Sequence, residues 1–161
     1  APAGGAVVIV RDDLIGNEMP ITPKIWNFAQ QAEKDSMINT PPTYPIYFIK
    51  LVTDYLIAQG GVEEMKKRNI EKAKILYDYL DSQDFYKTTV NKAGRSMMNV
   101  CFRTGSDELD AEFVKGQAAA GFSNLKGHRL VGGMRASIYN AMPKEGVEAL
   151  VAYMKKFASE H

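Results

Sequence analysis

The stretch Gly127-His128-Arg129-Leu130-Val131-Gly132-Gly133-Met134-Arg135 puts a histidine and two arginines around a pair of glycines. A guanidinium offers a planar fork that can hold a phosphate or a carboxylate by two parallel hydrogen bonds. Glycine inside a strand marks a bulge or a close approach of backbone. Together these residues suit a dianion held beside a carboxylate. His128 and Arg129 stand where a loop runs into a strand, and Arg135 falls on the face opposite Met134 and Ala136. Spacing alone leaves plainer roles open: His128 as a turn residue, Arg129 as surface charge, Arg135 as half of a structural ion pair.

A second polar cluster is Asn39-Thr40-Pro41-Pro42-Thr43. Asn39 and Thr40 supply an amide and a hydroxyl just before a helix start, where an anion is favoured. A turn followed by an N-cap is the plainer reading. Other familiar sites are missing. There is no glycine-rich phosphate loop of the nucleotide-binding kind. Two histidines and one cysteine give no spaced metal cluster. Cys101 reads as a buried structural thiol.

The elements that must carry these clusters follow from periodicity. The second half reads strand, helix, strand, helix. Met98, Val100 and Phe102 alternate with polar neighbours up to Arg103. Ser106 caps a helix that Gly121 ends, Val131 to Tyr139 reads as a strand, and Pro143 opens a last helix. Helices over a small sheet are the simplest way to bury such a pattern. Upstream, Thr43 can cap a helix that stops at Gly60-Gly61, and a longer helix runs from about Val62 to Leu80. Its charged run, which includes Lys72, predicts a solvated face. Residues 12–42 are irregular, with a short helical stretch near 23–32. The opening run Ala6–Val10 is short and β-branched and reads as a buried central strand, and with few strands near it in sequence it looks like the middle of a sheet whose rest is elsewhere.

Composition sets the outer limits. The chain has 161 residues with 20 Lys and Arg against 19 Asp and Glu, so no net basic field recruits nucleic acid. No apolar run is long enough for a membrane span. The lone cysteine excludes an internal disulfide framework and makes a reducing, cytoplasmic setting the expectation.

The quoted residues, extended as Arg135-Ala136-Ser137-Ile138-Tyr139-Asn140-Ala141-Met142-Pro143, resemble the signature of the phosphoserine aminotransferase family. The likeness extends in order over essentially the whole chain, through Asn39 to Thr43, Gly60-Gly61 and Met98-Asn99-Val100. It implies the α/β architecture of a fold-type I pyridoxal-phosphate enzyme. Residues 1–60 are then the tail of a large cofactor-binding domain. Residues 61–161 are then the small two-layer α/β domain, with a bridging helix at about 62–80. The intact protein would exchange an amino group between L-glutamate and 3-phosphohydroxypyruvate, in serine biosynthesis. The resemblance gives His128 and Arg129 to the substrate phosphate and Arg135 to its α-carboxylate. It gives Asn39 and Thr40 to the phosphate of pyridoxal 5'-phosphate across a homodimer interface. The lysine that carries the cofactor falls before Pro2-Ala3-Gly4 in the family, so the chain alone is expected to be inactive and to need the preceding portion of the protein. Ala1 stands where the family has glycine, and Cys101 where it often has proline. A related transaminase or lyase with another substrate, or a non-catalytic anion-binding domain, are the alternatives.

Overall fold

A computed structural model describes residues 3–161; Ala1 and Pro2, where the family comparison places a glycine and the start of Pro-Ala-Gly, lie outside the described residues. Backbone packing divides the chain into two units, residues 1–58 and 59–161.

The first unit holds two helices, α1 (Phe28–Glu33) and α2 (Thr43–Ala58), joined by irregular chain. Asn27 caps α1 by accepting from the Gln30 N–H at 2.8 Å. Thr43 does not cap α2 as its sequence suggests; its hydroxyl donates to the Pro41 carbonyl at 3.3 Å. The strand expected at Ala6–Val10 does not form. A strand needs neighbours to pair its N–H and C=O groups, and no ladder among the described residues includes this run. Its side chains are correspondingly open to solvent, Ile9 at 95%. No described residue up to Ala58 is buried. This unit therefore contributes elements but no core.

The second unit holds the whole buried core. Helix α3 (Gly61–Asp81) starts after Gly60, whose φ of +101° suits only glycine. There follow a two-residue strand β1 (Lys87–Thr88), β2 (Asn99–Arg103), α4 (Asp107–Gly116), β3 (Met134–Ser137) and α5 (Lys144–Glu160). The sheet order is β1-β2-β3, antiparallel throughout, with Val100 opposite Ala136 and Phe102 opposite Met134. That register puts Val100, Phe102, Met134 and Ala136 on one buried face and Cys101, Arg103 and Arg135 on the other. Leu76 of α3, Phe113 of α4 and Met154 of α5 complete the core. Tyr86, Phe102 and Phe113 meet edge to face at centroid distances of 5.7 to 5.9 Å. Burial pushes the Tyr86 phenol far up, and its hydroxyl donates to the Met154 carbonyl at 2.9 Å.

Three sequence expectations shift. The strand predicted over 131–139 pairs only from Met134 to Ser137, because Gly132 and Gly133 take φ of +75° and +64° and turn out of the ladder. Helix α4 stops at Gly116 rather than running to Gly121, and turns carry the chain to Gly121, φ +84°. The charged face of α3 is not all solvated. Lys72 is only 3% exposed, while the apolar Val62 and Ile70 of the same helix are 81% and 47% exposed. The Lys72 ammonium donates to the carbonyls of Tyr139 (2.7 Å), Met142 (2.9 Å) and Ile138 (3.3 Å). Desolvation lowers its pKa. Asn69, one turn earlier and also buried, donates to the Asn140 side chain at 2.7 Å. These contacts tie α3 to the chain leaving β3.

Candidate functional site

The loop from Gly127 to Gly133 is closed by its own backbone. Gly127 N–H donates to the Gly133 carbonyl at 2.8 Å, and Val131 and Gly132 both donate to the His128 carbonyl, at 2.9 and 2.8 Å. The His128 imidazole Nδ1 accepts from the Leu130 N–H at 3.3 Å. So His128 is tied locally, as a turn residue would be, and still leaves its other ring nitrogen available. Glycine is required at both ends of the loop. A Cβ on Gly127 would stand 2.1 Å from the Gly132 carbonyl oxygen, and one on Gly133 would stand 2.8 Å from that of Phe102.

This loop and α4 enclose a cavity of about 700 Å³. Its lining includes His128, Arg129, Arg103, Lys115 and Lys126. Two carboxylates, Asp107 and Asp110, share the wall, and both pair with Arg103. Among the described residues Arg129, Lys115 and Lys126 have no carboxylate partner, so the cavity keeps a positive excess. A concave wall with a net positive charge concentrates anions. The hydrogen bond from Arg103 to Asp110, with the Asp107 charge added, raises the Arg103 pKa, so that guanidinium is permanently charged.

Arg135 is placed differently. It sits on β3 opposite Cys101, on the half-exposed sheet face, and does not line that cavity. Its backbone N–H donates to the Leu125 carbonyl at 2.8 Å. Its side-chain Nε is buried and has no hydrogen-bond partner among the described residues. Arg95 shows the same unpaired Nε while its terminal nitrogens pair with Asp81. Arg135 differs in having no carboxylate partner among the described residues, so the structural ion pair considered as the plainer reading does not form among them. Asn39 and Thr40 lie exposed in a bend just before α2, in the other unit. The structure thus gathers His128 and Arg129 at one cavity, sets Arg135 on the adjoining strand, and leaves Asn39 and Thr40 in a separate unit.

Arg103, Lys115 and Lys126 were not candidates from sequence. The only local signal was acidic residues four and seven positions after Arg103, the spacing that brings both carboxylates of α4 back to the end of β2. No group of histidine, cysteine and carboxylate side chains among the described residues could hold a metal ion. No helix among them is long and apolar enough to cross a membrane.

Comparison with known proteins bears on this geometry. Residues 1–150 match the family model for aminotransferase class-V. A phosphoserine aminotransferase of Mannheimia succiniciproducens is 58% identical over 160 residues, covering 99% of this chain and 44% of that protein. The one from Haemophilus influenzae is 57% identical with the same coverage. Among solved structures, phosphoserine aminotransferase from Bacillus circulans subsp. alkalophilus superposes with a TM-score of 0.89 at 42% identity, over 94% of this chain and 42% of that one. A pyridoxal-phosphate-bound phosphoserine aminotransferase from Trichomonas vaginalis gives 0.80 at 37% identity, over 85% of this chain and 39% of that one. The chain spans less than half the length of these relatives.

Proposed function

The chain belongs to the aminotransferase class-V family, and on that premise we propose that it is the carboxy-terminal part of a phosphoserine aminotransferase. The intact protein exchanges an amino group between L-glutamate and 3-phosphohydroxypyruvate, giving O-phospho-L-serine and 2-oxoglutarate in serine biosynthesis. Residues 1–60 form the tail of its large domain and 61–161 its small domain. The exposed apolar side chains before Ala58 support a preceding portion of the same protein, and a homodimer, that cover them. The near-zero net charge gives no overall basic field to recruit nucleic acid, and the unpaired Cys101 fits a cytoplasmic setting.

The observation that carries the substrate assignment is the cationic cavity at His128 and Arg129. A phosphate needs several donors and a positive field, and a substrate that offers only a distal carboxylate draws less from that pair. Arg135 takes the α-carboxylate, which both amino-acid partners present, and fixes the orientation of the reacting carbon. A guanidinium with no carboxylate partner among the described residues supports this role. Asn39 and Thr40, an exposed amide and hydroxyl, suit the phosphate of pyridoxal 5'-phosphate held by the partner subunit. When bound, that cofactor supplies the electron sink for amino-group transfer, while the residues of this chain bind and orient.

Half-reaction kinetics on the intact protein test the division of labour. Arg129→Ala should weaken phosphoserine and phosphohydroxypyruvate by roughly 10- to 100-fold and glutamate less, since a desolvated charge-assisted contact to a dianion is lost. Arg135→Ala should impair both halves by similar factors, and Arg135→Lys should restore little because an ammonium lacks the fork. Equal losses in both halves for Arg129→Ala would overturn the phosphate assignment.

A further inference from the structure

Arg103, the last residue of β2, lines the same cavity as His128 and Arg129. Its two acidic partners are unequal. The Asp110 side chain is 8% exposed and heavily committed: it accepts from Arg103 Nε at 3.1 Å and from the Thr104 N–H and hydroxyl at 2.7 Å each. The Asp107 side chain is 83% exposed, and among the described residues its only partner is Arg103 Nη2. So exposed a pair is weak, because water competes for both members. The arginine stem is fixed as well. A Cβ on Gly133 would stand 2.5 Å from Arg103 Cγ, and one on Gly132 would stand 3.6 Å from Nη2, so the loop backbone lies along the side chain. Nη2 is therefore placed at the cavity wall and held there by the weaker of its two acids.

We propose that Arg103 is a further specificity-determining contact of this cavity: its Nη2 passes from Asp107 to an oxygen of the bound phosphate dianion, while Nε stays on Asp110. This rests on the cavity being the substrate-phosphate site. Asp107 then acts as a resident anion that keeps the guanidinium aimed before substrate arrives and must be displaced. A dianion displaces one exposed carboxylate more readily than a monoanion does, since it carries twice the charge. The exchange therefore favours phosphorylated substrates over those that offer a distal carboxylate, such as glutamate.

Calorimetric titration of inorganic phosphate into the intact, cofactor-loaded protein tests this. Asp107→Asn should bind phosphate about two- to fivefold more tightly, the size of an exposed ion pair no longer competing. Arg103→Met keeps a stem beside Gly133 but removes the charge, and should weaken binding roughly tenfold or more. In the Arg103→Met background, adding Asp107→Asn should change nothing further, because the guanidinium that links them is gone. A purely structural Arg103–Asp107 pair gives the opposite sign at Asp107, since loosening the loop can only weaken binding. A gain that persists without Arg103 means Asp107 acts through space, and either result overturns the proposal. Arg129→Ala is measured alongside. If it abolishes phosphate binding while Asp107→Asn has no effect, the role of Arg103 fails and the phosphate site stands. If Arg129→Ala leaves phosphate binding intact, the site assignment itself fails and the role of Arg103 falls with it.

Discussion

Replacing Gly127 by alanine should damage the anion loop far more than it damages the fold. The added Cβ would stand 2.1 Å from the Gly132 carbonyl oxygen, 2.8 Å from that of Gly133 and 2.9 Å from the Gly132 carbonyl carbon. All three are backbone atoms, so no side-chain rotation relieves the clash. Reaching ordinary contact near 3.5 Å requires the two ends of the loop to part by about 1 Å or more. That movement breaks the 2.8 Å hydrogen bond from Gly127 to Gly133, worth about 1 kcal/mol. Overpacking in a rigid surrounding would add about 1–3 kcal/mol. The loop can escape part of this, because Leu130 and Val131 at its tip are exposed and nothing packed holds them. The expected global loss is therefore at the low end, about 1–2 kcal/mol. Binding should suffer more, since the backbone that moves carries His128 and Arg129, and each charge-assisted contact to the phosphate that is lost weakens affinity by about tenfold or more. Gly121→Ala is the control. Its φ is +84° with nothing within 4 Å of the added Cβ, so it carries backbone strain of about 1–2 kcal/mol without a clash. Urea unfolding and phosphate titration of both variants separate the two effects. Similar stability losses with phosphate affinity reduced only in Gly127→Ala are expected. Normal phosphate binding by Gly127→Ala, or equal weakening by Gly121→Ala, would refute the steric account.

Two further outcomes follow from the second unit. Lys72→Met should cost about 2–4 kcal/mol in urea unfolding, because three backbone carbonyls lose their shared donor in a buried place; a loss below ~1 kcal/mol would mean that water replaces the ammonium freely. His161 stacks on Phe157 at 4.2 Å, and its ring meets the Phe157 carbonyl at 2.9 Å and Glu112 at 3.2 Å, which together raise its pKa above 6.5. A raised folded-state pKa means that this contribution is fully present below 6.5 and fades as pH rises through the folded value. The urea midpoint should thus fall between pH 5 and pH 8 by more in the native protein than in His161→Gln, and identical pH profiles would remove His161 from the account.

Much of the fold could be read from local signals. Ser106 accepts from the Leu109 N–H at 3.2 Å and starts α4, Pro143 precedes α5, and the glycines at 60–61 separate α2 from α3. Capping and glycine conformations act over a few residues, so their effect is written where they occur. The alternation from Asn99 to Arg103 marked β2 for the same reason. Where local signals were not enough, a distant partner decides. Ala6–Val10 has strand composition but no strand beside it among the described residues, as expected of a run whose sheet neighbours lie elsewhere, since β-branched side chains cannot pair a backbone by themselves. The sequence around Lys72 is charged and helical, yet the residue is buried with its ammonium on carbonyls 66 to 70 positions away. Strand β1 is too short at two residues to show a period.

The candidate site divides along the same line. Residue types made His128, Arg129 and Arg135 candidates for holding an anion while leaving a turn, surface charge or an ion pair open, and the family resemblance gave each its role. The sequence also singled out Asn39 and Thr40 as donors before a helix. It did not reveal that His128 and Arg129 share a cavity with Arg103, Lys115 and Lys126, or that Arg135 stands apart on β3 with its Nε buried and unpaired. Those relations depend on the antiparallel pairing of β2 with β3, some thirty positions apart, and on α4 and the loop after it sharing one cavity wall. Residue type determines which chemistry a side chain can do. Only tertiary packing determines which charges meet, because an ion's neighbours and its access to water are set by the whole fold rather than by the chain on either side of it.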